Sequence, residues 1–302
     1  MCLTAACGGG DDGNNTNGDA GDGDAIQFID GGTDGIPNVV DAPPGGSPGS
    51  LRFFNSHTTN ADRVEIRIDP HVPADIGAGS FTIDLWFRVA GAGTQPPATC
   101  QTGRDGWKSG MIILDRDRMA NGPNGEFGLS VFANGVAFGL SQGTSGIGIC
   151  GSTALTVGWH HVAVTRDAGT RAVTVYLDGV MNGTAMGPAG DVSFQNGSTG
   201  APKDPFLVIG ADKFEQAGLI NLNGFVDELR VSTVVRYTAD FMPETQAYAS
   251  ADADTAALYH FNDAGGALLS DERGMSPGDV KFGTDTTGNA VPLWVTGEPF
   301  LN

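Results

Sequence analysis

Short stretches of alternating apolar and polar residues recur along the chain from Ser50 onward. In FTIDLWFRV, every second position from Phe81 to Val89 is apolar, and Thr, Asp, Trp and Arg stand between them. Side chains of a β-strand alternate between two faces, so this pattern predicts a strand with one buried face. About a dozen segments are interpreted in this way. They include RVEIRI, GMIILD, EFGLSVFA, GVAFGL, FLVIG, FVDELRV, ALYHF and VPLWV.

Two adjacent histidines begin one of these strands, in GWHHVAVTRD at residues 158–167. Strand alternation sends His160 and His161 to opposite faces, so the two are not expected to bind one metal ion together. We interpret both as structural residues that pack beside Trp159. The AGT that follows, before RAVTVYLDG, predicts a tight hairpin turn.

The composition also favours short strands over helices. The 302 residues include 47 glycines and 16 prolines, so few windows can hold a helix of ordinary length. Only the region around RYTADFMPETQ is compatible with a helical turn. Strands with one polar face are typical of antiparallel sheets. We therefore predict an all-β fold for residues 50–302, an antiparallel two-sheet jelly-roll sandwich.

The N-terminal region has a different composition. Residues 8–49 are rich in Gly, Asp, Asn and Pro and contain no Lys or Arg, which predicts a disordered, flexible tether. Before it, MCLTAACGGG resembles the end of a bacterial lipoprotein signal, with residues 1–7 as its remnant and Cys7 as the lipidated residue. The basic and apolar regions of a complete signal are missing, and Thr4 stands where leucine is usual. The alternative is a pair of N-terminal cysteines without this role.

The charge and the cysteines bear on location. The net charge is −19, which excludes nucleic acid as an expected partner. The sequence contains no apolar run of about 18 residues, the length that would predict a membrane-spanning helix. We therefore expect membrane contact only through a lipid anchor. We expect an extracellular or bacterial cell-surface protein, lipid-anchored or secreted.

In an exported protein, Cys100 and Cys150 are predicted to form a disulfide; two unpaired thiols are the alternative.

A loop that contains GRDGWKSG is the candidate recognition element. It combines Trp107 with the charged residues Arg104, Asp105 and Lys108. The face of a tryptophan ring can stack on the apolar face of a sugar, and charged groups can hydrogen-bond to its hydroxyls. The alternative is that Trp107 packs over the sheet edge and the charges are solvated.

Several segments, in order, resemble the laminin-G-like jelly roll of the concanavalin A-like lectin/glucanase superfamily. They are FTIDLWFRV, GWHHVAVTRD followed by VTVYLDGV, and GFVDELRVSTVVRYTADFMPE, with weaker support from ALYHFNDAGG. The resemblance covers roughly residues 50–300 and implies the sandwich fold. It does not imply a particular ligand, because such domains serve as carbohydrate-binding, adhesive and structural modules and as enzyme appendages.

The resemblance also implies a structural Ca²⁺ ion. Related jelly rolls often hold one with an aspartate at the start of the strand that corresponds to FVDELRV, which here is Asp227. Asn55 and Asp62, at the exit of the first strand, are further candidates by the same resemblance. The alternative is that these side chains cap neighbouring backbone amides.

Hydrolytic chemistry has little support in the sequence. Glycoside hydrolysis needs two carboxyl groups about 5 to 10 Å apart, and the E-x-D-x-x-E run of the superfamily's glucanases does not occur. Glu65 and Asp69 share one strand face, but Arg67 shares it too and opposes the raised pKa that an acid catalyst requires. We therefore predict that the protein is not an enzyme.

The sequence as a whole predicts a non-catalytic extracellular binding or adhesion module whose partner is a glycan or an extracellular protein. A divergent glycan hydrolase or its accessory subunit is one alternative. A self-associating surface or matrix protein is the other. The oligomeric state is not predicted.

Overall fold

The computed structural model describes residues 49–56, 59–91, 96–118, 125–194, 205–244, 246–285 and 287–296. The predicted lipidation site at Cys7 and the predicted tether of residues 8–49, apart from Gly49, lie outside the described residues. Within the described part, no helix has the length and apolarity needed to cross a bilayer.

The described residues form strands and one short 3-10 helix, Gly106–Ser109. In chain order the strands are β1 Gly49–Phe54, β2 Arg63–Arg67, β3 Phe81–Val89, β4 Met111–Arg116, β5 Gly125–Phe132, β6 Gly135–Gln142, β7 Ser145–Cys150, β8 Trp159–Arg166, β9 Ala172–Leu177, β10 Val180–Met186, β11 Phe206–Ile209, β12 Ile220–Asn221, β13 Asn223–Ser232, β14 Thr255–Tyr259, β15 Leu268–Leu269, β16 Gly278–Lys281, β17 Gly283–Thr284, β18 Ala290–Val291 and β19 Leu293–Thr296.

Two large sheets contain most of these strands. Sheet A has the order β10-β9-β8-β3-β13-β1-β19, with β14 also paired to β13. Sheet B has the order β15-β16-β2-β11-β4-β5-β6-β7, and β12 pairs with β4 in parallel. The strands β17 and β18 form a separate pair. Apart from the β12–β4 pair, neighbouring strands are antiparallel, so the predicted all-β two-sheet sandwich is confirmed.

The hydrophobic core lies between the inward faces of the two sheets. The predicted alternation in β3 is confirmed, because Phe81, Leu85 and Phe87 are fully buried in this core. Sheet B contributes Phe127 and Phe138, whose rings stack with their centroids 5.9 Å apart. Burial of apolar surface at about 25 cal/mol per Å² is the main force that holds such layers together.

The two adjacent histidines occupy opposite faces of β8, as predicted. His160 lies beside the inward-facing Phe87, and its Nδ1 is 2.7 Å from the carboxylate of Asp178. His161 lies on the outer face, with its Nε2 2.8 Å from the hydroxyl of Tyr248. Burial lowers the pKa of His161 to about 4, so this ring is neutral at physiological pH. The two histidines therefore do not bind one metal ion together.

A segment after β13 crosses the outer face of sheet A, and we call its described residues, 233–244 and 246–250, the strap. The region around RYTADFMPETQ, whose sequence is compatible with a helical turn, has no helix among its described residues. Instead, the rings of Tyr237 and Phe241 stack on each other with centroids 3.6 Å apart, and Phe241 also contacts His161 and Tyr176 of sheet A. Aromatic packing on the sheet thus determines the path of this segment.

Candidate functional site

Trp107, predicted to be an exposed sugar-stacking residue, lies buried on the outer face of sheet B, where it is 3% exposed. Gly128 and Gly139 stand opposite each other on β5 and β6, and a Cβ atom at these positions would come within 2.2 Å and 2.1 Å of the indole. Ile112 and Phe132 complete a small cluster around it. The indole therefore offers no open face to a sugar, and the structure supports the alternative interpretation that it packs against the sheet.

The charged residues of the same loop form ion pairs. The Nζ atom of Lys108 lies 2.7 Å from Asp117 and 3.3 Å from Asp105. Burial lowers the pKa of Lys108, but these two carboxylates outweigh it and raise the pKa above its ordinary value. Arg104 donates to the carbonyl of Gly143 over 2.8 Å, and its Nε lies 3.2 Å from Asp105. These contacts anchor the loop to sheet B and to itself.

The predicted disulfide between Cys100 and Cys150 is confirmed, with the two Cα atoms 5.7 Å apart. It joins the beginning of the loop to the end of β7. The loop that was predicted to recognise a ligand is therefore held at both ends, by a covalent bond and by the packing of Trp107.

Asp115 is a fully buried carboxyl group behind this loop. Its oxygens accept hydrogen bonds from the backbone N–H groups of Asp117, over 2.6 Å, and Lys213, over 2.8 Å. Burial and the nearby carboxylate of Asp117 raise the pKa of Asp115 from 3.8 to about 8. The folded state thus holds this proton more tightly than the unfolded chain does. Its stabilising contribution is present below about pH 4 and is lost as the pH rises towards about 8.

We expect Asp115→Asn to flatten the fall in stability between about pH 4 and about pH 8, because asparagine stays neutral throughout this range. Urea unfolding of both proteins at several pH values measures the effect. The exposed Asp279, which is paired with Lys281, provides the matched control Asp279→Asn. An unchanged pH slope in Asp115→Asn would contradict the assignment.

Two of the residues expected to bind calcium support the loop that follows β1. The carboxylate of Asp62 accepts the backbone N–H groups of Phe54, over 2.9 Å, and Ser56, over 2.8 Å. Burial raises the pKa of Asp62 to about 6, although both hydrogen bonds act to lower it. The side-chain oxygen of Asn55 accepts the N–H group of Asn221 over 2.9 Å. Both side chains thus act as caps for backbone amides.

The third expected calcium ligand, Asp227, lies elsewhere on sheet A. Phe54 is paired with Asn223, and Asp227 is four positions further along β13, roughly 13 Å away at about 3.3 Å per residue. Asp227, Asn55 and Asp62 therefore do not fit one ion. Among the residues that the structure describes, no group of three His, Cys, Asp or Glu side chains is placed to hold a metal. The structural calcium ion that the resemblance implies stays a prediction.

A row of alternating arginine and aromatic side chains crosses the outer face of sheet A. The strand register places Arg52 opposite Phe225 and Phe225 opposite Arg88. Arg88 in turn lies opposite Trp159. These positions belong to the neighbouring strands β1, β13, β3 and β8. We call the four residues the arginine–aromatic row.

Close stacking holds the row together. The guanidinium carbon of Arg88 lies 4.1 Å from the ring centroid of Phe225 and 5.5 Å from that of Trp159. The guanidinium carbon of Arg52 lies 5.0 Å from the ring centroid of Phe225 and 4.2 Å from the ring centroid of Phe54. All four distances are within the roughly 6 Å range of cation–π attraction. Arg52 and Phe225 are buried, whereas Arg88, Trp159 and Phe54 are half-buried and provide accessible surface.

Sequence reasoning missed this row, because its members lie on four strands whose spatial order is not their order in the chain. Alternation places Arg88 on the polar face of its strand, and Trp159 begins the histidine strand. Neither pattern alone indicates that the two side chains are cross-strand neighbours. The only available signal was an arginine or aromatic residue at an outward position of each strand.

A polar cleft of about 450 Å³ opens beside the loop after β11. Its lining includes Arg63, Asp212 and Glu215. The Nη2 atom of Arg63 lies 3.2 Å from the carboxylate of Glu215, and its Nη1 donates to the carbonyl of Asp212 over 3.2 Å. The cationic group of the cleft is thus engaged with its own walls.

Comparisons with known proteins agree on the fold. A laminin G family model, described as the concanavalin A-like lectin/glucanases superfamily, matches residues 58–240. The crystal structure of a candidate carbohydrate-binding protein from Bacteroides ovatus aligns with a TM-score of 0.50 and 16% identity, over 76% of this chain and 57% of that one. The chain thus spans less than two thirds of the length of the Bacteroides protein.

Two further solved structures align with lower TM-scores. Domains LG4-5 of the mouse laminin α1 chain align with a TM-score of 0.40 and 11% identity, over 66% of this chain and 47% of that one. A SAP-like pentraxin from Limulus polyphemus aligns with a TM-score of 0.38 and 15% identity, over 63% and 78%. No curated protein sequence matches the chain.

Proposed function

Because the chain belongs to the concanavalin A-like lectin/glucanase superfamily, we propose that it is a non-catalytic carbohydrate-binding module that acts outside the cell. The observation that carries this proposal is the arginine–aromatic row on the outer face of sheet A. The Bacteroides ovatus protein, a candidate carbohydrate-binding protein, has this fold, which makes carbohydrates the natural first class of ligand to test.

The row has the chemistry that sugar recognition needs. Aromatic rings such as that of Trp159, and that of Phe54 beside the row, can stack on the apolar faces of sugar rings. The guanidinium group of Arg88 stacks on the rings of Phe225 and Trp159 and holds them in place. The residues stand on paired strands and stack on one another, so little conformational entropy is lost when a ligand binds.

Two further observations favour binding outside the cell over catalysis. The disulfide between Cys100 and Cys150 is of a kind that persists in oxidising compartments, in line with export and with a lipid anchor at Cys7. The two carboxyl groups that most resemble a glycosidase pair in the sequence are those of Glu65 and Asp69. The carboxylate of Glu65 lies 3.6 Å from the Nζ atom of Lys281. This carboxylate is thus engaged in an ion pair within the protein.

The test is a glycan array probed with the full chain, followed by titration calorimetry on the glycans that bind. We expect Trp159→Ala to weaken binding by about tenfold or more, which corresponds to about 1.4 kcal/mol, because a stacking face is lost. The exposed Val157, which lies two residues before Trp159, provides the matched control Val157→Ala, with unchanged affinity. Thermal melts verify that both variants fold.

Two outcomes would contradict the proposal. One is a folded protein that binds no glycan on the array. The other is glycan binding that Trp159→Ala leaves unchanged, which would locate the site elsewhere. Light scattering on the same samples tests the alternative of a self-associating surface protein, which predicts oligomers in the absence of glycan.

A further inference from the structure

We propose that His260 is a pH-sensitive clamp on the strap: its protonated ring holds the end of the strap in place, and loss of the proton releases it. The clamp consists of His260 and two glutamates, Glu228 and Glu272. It is independent of the proposed carbohydrate-binding function, because none of these three residues belongs to the arginine–aromatic row.

The first support is the position of the His260 ring between two carboxylates. Its Nδ1 atom lies 2.9 Å from the carboxylate of Glu228, which belongs to β13. Its Nε2 atom lies 3.2 Å from the carboxylate of Glu272, in the loop between β15 and β16. An ionised carboxylate only accepts hydrogen bonds, so both ring nitrogens need a proton to serve both partners. The geometry therefore fits the imidazolium cation.

The second support is that the same two glutamates hold the backbone at the end of the strap. Glu228 accepts the N–H group of Tyr248, a strap residue, over 2.9 Å. Glu272 accepts the N–H group of Ala251, which directly follows the strap, over 3.1 Å. The charge on His260 thus keeps in position the two acceptors on which residues 246–251 depend.

Other charged groups of the neighbouring segments are engaged elsewhere, so the two glutamates are the charges that act on the ring. These groups are Arg230 with Asp84, Arg236 with Asp252, Arg273 with the carbonyl of Asp252, and Asp271 with the backbone amides of Leu258 and Ser276.

The direction of the pH effect follows from the surroundings of the ring. The hydrogen bond to Glu228 is the largest cause that raises the pKa of His260 above its ordinary value of 6.5, and burial acts against it. The contribution of the clamp is therefore fully present below about pH 6.5 and is lost as the pH rises through the raised pKa. A neutral ring has one nitrogen without a proton, so one glutamate then faces a lone pair.

The release is expected to be local. Tyr248 is the single buried residue among residues 246–251, so this stretch has few other contacts. The earlier part of the strap is held by the stacking of Tyr237 and Phe241, which does not involve His260. Segments with few buried contacts open while the rest of a protein stays folded. We therefore expect the end of the strap to open without unfolding of the sandwich.

The experiment is amide hydrogen exchange of the full chain, followed by mass spectrometry, from about pH 5 to about pH 9. Exchange rates are corrected for the intrinsic effect of pH on unprotected amides. We expect the protection of residues 246–251 to fall by about tenfold across this range, because hydrogen bonds to charged groups are lost. Amides of β3 and β8 in the same samples are expected to stay protected.

Two variants assign the effect to the clamp. In His260→Gln, which does not titrate in this range, we expect low protection of residues 246–251 at every pH. Glu272→Gln removes the charge of the more exposed partner and is expected to reduce the fall in protection. It also provides a second test if His260→Gln does not fold.

The matched control is His160→Gln. Burial lowers the pKa of His160, but its hydrogen bond to Asp178 outweighs burial and raises the pKa, as in His260. His160 lies on the inward face of β8, on the opposite side of sheet A from the strap. The variant is therefore expected to keep the pH-dependent protection of residues 246–251.

Three outcomes would overturn the inference. The first is protection of residues 246–251 that does not change with pH in the unaltered protein. The second is a fall in protection that persists in a folded His260→Gln variant. The third is an equal fall in β3 and β8, which would indicate unfolding of the whole sheet. None of them bears on the carbohydrate-binding function, which the glycan array tests separately.

Discussion

Replacement of Asp84 by alanine is expected to lower the free energy of unfolding by about 3–5 kcal/mol. Asp84 is fully buried on the outer face of β3, beneath the strap. Its carboxylate lies 2.6 Å from the Nη2 atom of Arg230, and it accepts hydrogen bonds from the hydroxyls of Tyr237, over 2.7 Å, and Tyr248, over 3.1 Å. Alanine would leave the partly buried guanidinium group of Arg230 and two hydroxyl groups without this acceptor, and the strap would lose its polar anchor.

Urea unfolding followed by fluorescence measures this loss. Asp84→Asn is expected to cost less, because an amide oxygen still accepts a hydrogen bond. The control is Asp279→Ala, since Asp279 is an exposed carboxylate paired with Lys281 and surface ion pairs contribute about 0–1 kcal/mol. A loss below about 1 kcal/mol in Asp84→Ala would show that the buried network is not a stabilising contact of the strap.

The second large effect is expected from Trp107→Ala, at about 3–5 kcal/mol. The indole fills a slot that two glycines create on the outer face of sheet B, and a cavity would remain because neither Gly128 nor Gly139 has a side chain that could move into it. Thermal melts and urea unfolding measure the loss of stability. Well below the melting temperature, we expect glycan binding by this variant to equal that of the unaltered protein.

A comparison with Trp159→Ala makes this test specific. Trp107→Ala should affect mainly stability, because Trp107 is buried against sheet B, whereas the row lies on sheet A. Trp159→Ala should affect mainly binding, because Trp159 is half-buried at the end of the row. The opposite result would be normal stability and lost binding in Trp107→Ala. It would restore the interpretation of the loop that contains GRDGWKSG as the recognition element.

Some features of the fold follow from local sequence pattern alone. The alternation in β3 correctly predicted which residues face the core, since burial of one strand face depends only on the period of two. The turn between β8 and β9 was predicted by its short polar sequence, and the two strands pair as an antiparallel hairpin. The shortest strands, such as β15 and β17, have two residues each and carry too little pattern to be recognised.

The amino-acid sequence by itself determined the strand periods and the sandwich class, because these depend on side-chain alternation. It predicted the pairing of Cys100 with Cys150 only for an exported protein, and the structure decided between a disulfide and two unpaired thiols. Only the tertiary structure decided that Trp107 is buried and that Arg88 lies between Phe225 and Trp159. Both results depend on which strands become neighbours across a sheet. Contacts between distant segments set that order, and no local window of the sequence contains them.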